Sequence, residues 1–288
     1  MAQEQTGNLR LDRLKSRSPA LMESLDVRIL YAAVDELQPG EWNYASLLPS
    51  YWRLYQHDCA GAALILPSGE HRFEPGSVYL IPSDLKFGSR NDSCVRQFFI
   101  HFHPVGISPL LMHELVPGPV KVPDAPHYIK SVAEVGSWVS GRGNSEIGVQ
   151  CAVKGIVFEA FGRYFGDLSA DVIEKVKART CAIEPVMPAL RRIQENLASD
   201  LANGKLARLC AMSEDHFIRT FAAAVGLPPA RYVQKQRVAR AAQMLLFSEK
   251  PIEQIAEETG FGDRFYLSRV FAREAGQPPA RYRKRPKA

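Results

Sequence analysis

Two stretches of this chain say nearly the same thing. His216–Tyr232 reads HFIRTFAAAVGLPPARY and Tyr266–Tyr282 reads YLSRVFAREAGQPPARY, so a phenylalanine, a glycine, a proline pair and Ala-Arg-Tyr recur at a constant offset of 50 residues. Just upstream, Leu206-Ala207 corresponds to Ile255-Ala256 at an offset of 49, so the turn ahead of each repeated segment differs by one residue. A chain that repeats itself in this way builds one small unit twice.

Each unit has the grammar of a short helix, a tight turn and a second helix. Phe217, Phe221 and Val225 recur every four residues in the first copy, and Leu267, Val270 and Phe271 form the matching stripe in the second. Residues at that spacing share one helical face, so both stripes are expected to be buried. Ser213 and Asp263 suit the N-cap, where a short side-chain oxygen accepts from an unsatisfied N–H of the first turn. Gly226 and Gly276 supply the left-handed residue that ends each helix, and the Pro-Pro pairs stop propagation and open the next one. This is the helix-turn-helix pattern.

Between the units, Pro229 to Phe247 reads as one helix with Val238, Ala241, Ala242, Leu245 and Leu246 along one side and Lys235, Arg237 and Arg240 along another. At ~1.5 Å per residue it spans roughly 28 Å. That is comparable with the ~34 Å between successive major-groove faces of a duplex, so the spacing predicts two neighbouring groove segments read from one side.

Charge points the same way. The net +5 divides unevenly: residues 1–184 carry 18 Lys+Arg and 21 Asp+Glu, residues 185–288 carry 18 and 10. The C-terminal part is thus +8, the electrostatic footprint of a phosphate-binding surface, although an anionic membrane would satisfy charge alone. Double-stranded DNA is the expected partner. A composition 46% hydrophobic and 23% charged is that of a folded, water-soluble protein long enough for two domains. The cysteines, 59, 94, 151, 181 and 210, are odd in number and lack metal-finger spacing. With a polar N-terminus and no long apolar run, they point to a reduced, cytoplasmic protein that does not enter a membrane.

The N-terminal part has a different texture. Residues 1–20 are charged and irregular, and both a functional arm and a plain tail are open. Val27–Val34, Tyr51–His57, Ala62–Leu66, Ser77–Ile81 and Arg96–Phe102 are short strand-like runs, separated by turn signals such as Gln38-Pro39-Gly40, Pro67-Ser68-Gly69-Glu70 and Glu74-Pro75-Gly76. They predict a small antiparallel barrel or jelly roll. Helices are expected over His127–Trp138 and Asn144–Phe165. The stripe 153, 156, 157, 160 and 161 of the second packs either on the barrel or another helix, or on a second subunit, making a homodimer. Residues 171–184 are charged and read as a linker.

Two resemblances follow. Phe73 to Gly88, FEPGSVYLIPSDLKFG, resembles the cupin pattern, but the metal set of cupin enzymes is not visible: Leu85-Lys86-Phe87 stands where the second-motif histidine is usual. His101 and His103 lie on one strand face without a third ligand in view and read as a wet barrel rim. No metal, cofactor or catalytic residue is expected. Residues Pro185 to Arg285 resemble the DNA-binding domain of AraC/XylS-type transcription regulators, through LARLCAMSEDHFIRTF, both G-x-P-P-A-R-Y joints, RVARAAQMLL and IAEETGFGDRFYLSRVF. Ala202, Gly204 and Pro251 depart from the usual capping residues of the two short helices; Pro251 is expected at the first helical position. In that family a cupin-like domain commonly binds a small effector and supports dimerisation, so the resemblance implies a ligand sensor, with RNA polymerase as a further partner in an activator.

The expected fold is therefore α+β in two domains: a cupin-like barrel with accessory helices over 21–170, and an all-α domain over 185–288. The repeated helices expose Asp215, Ile218 and Arg219 in the first copy and Arg264, Phe265, Ser268 and Arg269 in the second, positions that also match those from which family members approach base edges. Arginine can grip guanine O6 and N7, Asp can accept from cytosine N4, and Ile or Phe can lie on a thymine methyl. Arg219 and Arg269 could equally make structural ion pairs. Lys235, Arg237, Arg240, Arg281, Arg283, Lys284 and Arg285 are the phosphate candidates. In the barrel, Tyr55 with His57 and Phe99 with His101 are same-face pairs suited to a small polar effector such as a carbohydrate, or they are simply core. A cupin-like metalloenzyme tethered to DNA, and a ligand-independent regulator, are the alternatives.

Overall fold

The computed structural model describes residues 25–283 apart from 48, 50, 106, 108, 142–143, 167, 169–171, 173–181 and 276, together with the backbone alone at 246 and 247. The arm over 1–20, most of the linker, Gly276, Lys284, Arg285 and the side chain of Leu246 lie outside the described residues.

The N-terminal part is built from β1 (Asp26–Leu37), β2 (Tyr44–Leu47), β3 (Trp52–His57), β4 (Ala62–Leu66), β5 (Gly69–Arg72), β6 (Val78–Ile81), β7 (Phe87–Asn91), β8 (Val95–Val105) and β9 (Val120–Lys121). They form two antiparallel sheets, in the orders β1-β8-β3-β6-β9 and β2-β7-β4-β5. All five expected strands are present. The turns at Gly40 and Gly76 sit between elements, with φ of 87° and 74°, and the one at Pro67-Ser68 leads directly into β5, which Gly69 opens at φ 128°, a region open to glycine.

Alternation along the strands sorts the side chains into two cores. Trp52, Leu54, Ile100 and Phe102 of β3 and β8 face outward and are covered by helices α2 (Pro126–Ser140) and α3 (Glu146–Phe165). Tyr55, Phe99, Tyr79 and Ile81 face inward and meet Leu64 and Phe87 of the second sheet and Trp42 of the turn before β2. The stripe Val153, Ile156, Val157, Ala160 and Phe161 of α3 is buried on the barrel within the chain itself, which settles the packing of those residues without a second subunit. A short helix α1 (Pro109–Leu115), not foreseen, bridges β8 and β9.

The C-terminal part is helical: α4 (Met187–Glu195), α5 (Asn203–Leu209), α6 (Glu214–Val225), α7 (Pro229–Phe247), α8 (Ile252–Glu258), α9 (Arg264–Ala275) and α10 (Pro279–Arg283). Phe217, Phe221 and Val225 anchor one core, and Leu267, Val270 and Phe271 anchor a second. Val238, Ala241, Ala242 and Leu245 of α7 belong to the latter. The caps fall where expected: Ser213 Oγ accepts from His216 N at 3.4 Å, Asp263 Oδ1 accepts from Phe265 N at 2.7 Å and Tyr266 N at 2.8 Å, and Gly226 ends α6 at φ 82°. Pro251 occupies the N-cap of α8, one position before the one expected, with no side-chain cap. Ala202 likewise caps α5 without a side-chain bond, and its own N–H donates to Asp200 Oδ1 at 3.0 Å.

Candidate nucleic-acid interface

The second helix of each unit is held by its apolar stripe and shows its other side to solvent. On α6, Asp215 and Arg219 are exposed, whereas Ile218 is half-buried against the first core, leaving part of its side chain at the surface. On α9, Arg264 and Arg269 are exposed and Ser268 half-buried. Phe265 is 72% exposed, with the Arg264 guanidinium 4.7 Å from its ring centre. Leaving so large an apolar side chain in water has no packing reason. Arg269 lies 5.4 Å over the ring of Tyr266, and Arg264 stands 3.7 Å from Glu253 in an exposed pair. Exposed pairs of this kind contribute little and leave both arginines available.

The basic residues of α7 are engaged inside the protein instead of standing free. Arg237 donates from Nε to Leu197 O at 2.9 Å and from Nη2 to Ser199 O at 3.0 Å. Arg240 is half-buried and donates to Gln243 Oε1. Lys235 reaches Asp84 of the barrel at 3.3 Å. Arg283 donates to Lys250 O. Thus four of the seven expected phosphate candidates, three on α7 and Arg283 on α10, have acceptors within the protein. Arg281 is exposed.

The units are locked in mutual position by the same helix. Arg231 of α7 pairs with Glu274 of α9 at 2.7 Å, while Gln234 donates to Tyr266 Oη at 3.3 Å and accepts from Arg273 at 2.7 Å. The barrel is fastened to it as well. Gln243 donates to Leu30 O, and Asp84 takes both Lys235 and His113, the latter at 3.8 Å. Burial alone would raise the Asp84 carboxyl, but His113 and Lys235 hold it below the usual value. Trp52, His103, Leu110, His113, Tyr232 and Lys235 are among the residues lining a cavity of about 240 Å³ at this junction.

Inside the barrel the four expected effector residues do share one space. Tyr55 and His57 have ring centres 6.0 Å apart, and Phe99 and His101 4.9 Å apart. Phe73 stacks on His57 at 4.5 Å, and Trp42 stands edge-on to Tyr55 at 5.7 Å. Burial pushes His57 down to about 4 and, with help from the Arg53 charge, takes His101 well below 6.5. His101 is therefore a buried ring packed on Tyr51 at 4.7 Å, and the wet rim expected of it is corrected. His103 is also pushed down to about 4 by burial and by Arg28. No group of three or more metal-ligating side chains occurs among the described residues. Sequence reasoning passed over Arg53 and Trp42, although the period-2 rule applied to Tyr55 puts Arg53 on the same face.

Comparison with known proteins bears on both parts. Residues 206–285 match the family model of a helix-turn-helix domain. The MmsAB operon regulatory protein of Pseudomonas aeruginosa is 29% identical over 32% of this chain and 30% of its own length. A putative AraC-like transcription regulator of Streptomyces lividans is 33% identical over 35% of this chain and 33% of its own. The chain thus aligns with about a third of the length of these relatives. ToxT of Vibrio cholerae, 13% identical, superposes over 90% of this chain and 98% of its own with a TM-score of 0.52, so the two-domain fold is shared end to end. The paired units define a DNA-binding class of domain. The C-terminal third of this chain matches a helix-turn-helix domain and is similar to that of an AraC-like regulator. No helix among the described residues is long and apolar enough to cross a membrane.

Proposed function

We propose that this protein is a transcription regulator that binds specific double-stranded DNA through α6 and α9 and senses a small polar molecule, such as a carbohydrate, in its barrel. The observation that carries the reading is the pair of unlike exposed faces, Asp215/Arg219 and Arg264/Phe265/Arg269, set on equivalent helices and fixed by α7. The second face has more donors and an exposed ring, so it supplies most of the base readout, and the first adds one arginine and an acceptor. Arg281, with Lys284 and Arg285 beyond the described residues, supplies phosphate contacts. The protein acts in the cytoplasm, as a homodimer, and meets RNA polymerase where it activates.

Selecting bound fragments from genomic DNA, with and without candidate metabolites, tests the reading. A recurrent sequence motif whose recovery changes with a metabolite supports it; recovery of random fragments refutes it. Affinity should also fall as salt rises, because phosphate contacts release counterions.

A further inference from the structure

Arg53 is the single buried Arg, Lys, Asp or Glu among the described residues, at 3% exposure. It lies on β3 in register with Ile81 of β6 and His101 of β8, on the interior face it shares with Tyr55 and His57. No hydrogen bond or ion pair reaches its guanidinium from any described residue, and Nη1 is shut away from solvent without a partner. Its neighbours are rings: the guanidinium carbon is 4.5 Å from the centre of Tyr51 and 5.2 Å from that of Phe87.

Every half-buried arginine among the described residues has an acceptor. Arg28 has Gln194 O, Arg90 has Glu70 and Asp92, Arg163 has Glu159, Arg231 has Glu274, and those of α7 and α10 are described above. Nor does any carboxylate among the described residues pair with it. Asp84 is taken by Lys235 and His113. Asp35 sits opposite Gln97, four residues further along the ladder, which is ~13 Å away at strand spacing. Two ring contacts offset only part of what burying an unpaired ion costs. The protein carries a net electrostatic deficit at one point inside its sensor domain.

We propose that Arg53 is the anchor of the effector site and that the effector is a carboxylate with a small apolar or aromatic body. The inference rests on the regulator reading and narrows it from polar molecules in general to anions. The planar guanidinium fork accepts a carboxylate through two parallel hydrogen bonds. Tyr51 and Phe87 present ring surfaces to it, and Tyr31, Tyr55 and Phe99 belong to the same interior cluster of the barrel as Phe87.

The test uses full-length protein and two matched probe sets, benzoate with benzamide and hexanoate with hexanamide, read as the shift in thermal midpoint against concentration. Wild type should be stabilised by at least one carboxylate and not by its amide. Arg53→Met should bind that carboxylate at least about tenfold more weakly, and its ligand-free midpoint should equal or exceed that of wild type, since an apolar replacement removes an unpaired buried charge. Arg53→Gln gives the same readout should the methionine variant not fold. A wild type that gains no more from carboxylates than from amides, or than the variants gain, overturns the inference. So does a ligand-free Arg53→Met clearly less stable than wild type, which would show the guanidinium satisfied within the fold. Sequence-specific DNA binding by wild type is measured in parallel: carboxylate binding through Arg53 without it would sink the regulator reading alone.

Discussion

Ala211 and Gly260 hold the same left-handed position in the two helix-turn-helix turns, at φ of 53° and 78°. They stand 49 residues apart, and the second turn then takes one extra residue, running Phe261-Gly262-Asp263 to its cap where the first runs Met212-Ser213. The change of offset in the repeat is thus a single inserted glycine.

The equivalence makes opposite substitutions informative. Left-handed geometry costs an alanine about 1–2 kcal/mol, while glycine adopts it freely at a smaller entropic cost. Ala211→Gly should therefore raise stability by roughly 0.5–1 kcal/mol in urea unfolding. Gly260→Ala should lower it by about 2 kcal/mol or more. A Cβ there would lie 2.5 Å from Leu197 O and 2.9 Å from Ala198 Cα, in backbone that has no room to move.

Arg269→Ala should cost ~1–3 kcal/mol on a selected DNA site and relax the base preference at one position. The measurement is a titration of that site against a scrambled duplex. Equal loss on both would remove the base-contact assignment.

Arg237 behaves as an internal brace. Arg237→Ala leaves the carbonyls of Leu197 and Ser199 without their donor, so unfolding free energy should drop by roughly 1–3 kcal/mol. The slope of log affinity against log salt on random DNA should stay at the wild-type value; a slope shallower by about one would restore Arg237 to the phosphate ligands.

Acid should weaken the barrel. His57 and His101 are buried and neutral, with folded values below the 6.5 of the unfolded chain. Between pH 6.5 and about 4 the unfolded state binds the protons, so stability falls as pH falls through that window. Each ring contributes up to about 1.4 kcal/mol per pH unit. Unfolding at pH 7.5 and 5.5 should show the loss, and His57→Gln should reduce it by its own share.

What the sequence made legible follows the length scale of the forces. Helix caps and apolar stripes are local, so α6, α7 and α9 were readable to within a residue or two from Ser213, Asp263 and the Phe217/Phe221 spacing. The five strongest strands were readable for the same reason. Lys235 was not, because its fate is decided by Asp84, 151 residues away in the chain. The same holds for Arg237, whose acceptors are backbone carbonyls that carry no sequence signature. Ile218 was placed on the outer face by its helical angle alone, and the adjoining core claimed part of it.

The crowding around α7 has one more consequence. The barrel grips this helix at Lys235 and Gln243, α9 grips it at Arg231 and Gln234, and the loop after α4 grips it at Arg237. One residue added to it would advance everything beyond by ~1.5 Å and turn it by roughly 100°. The helix therefore works as a ruler with its phase engraved as well as its length, and the interval between α6 and α9 is a constant of the protein.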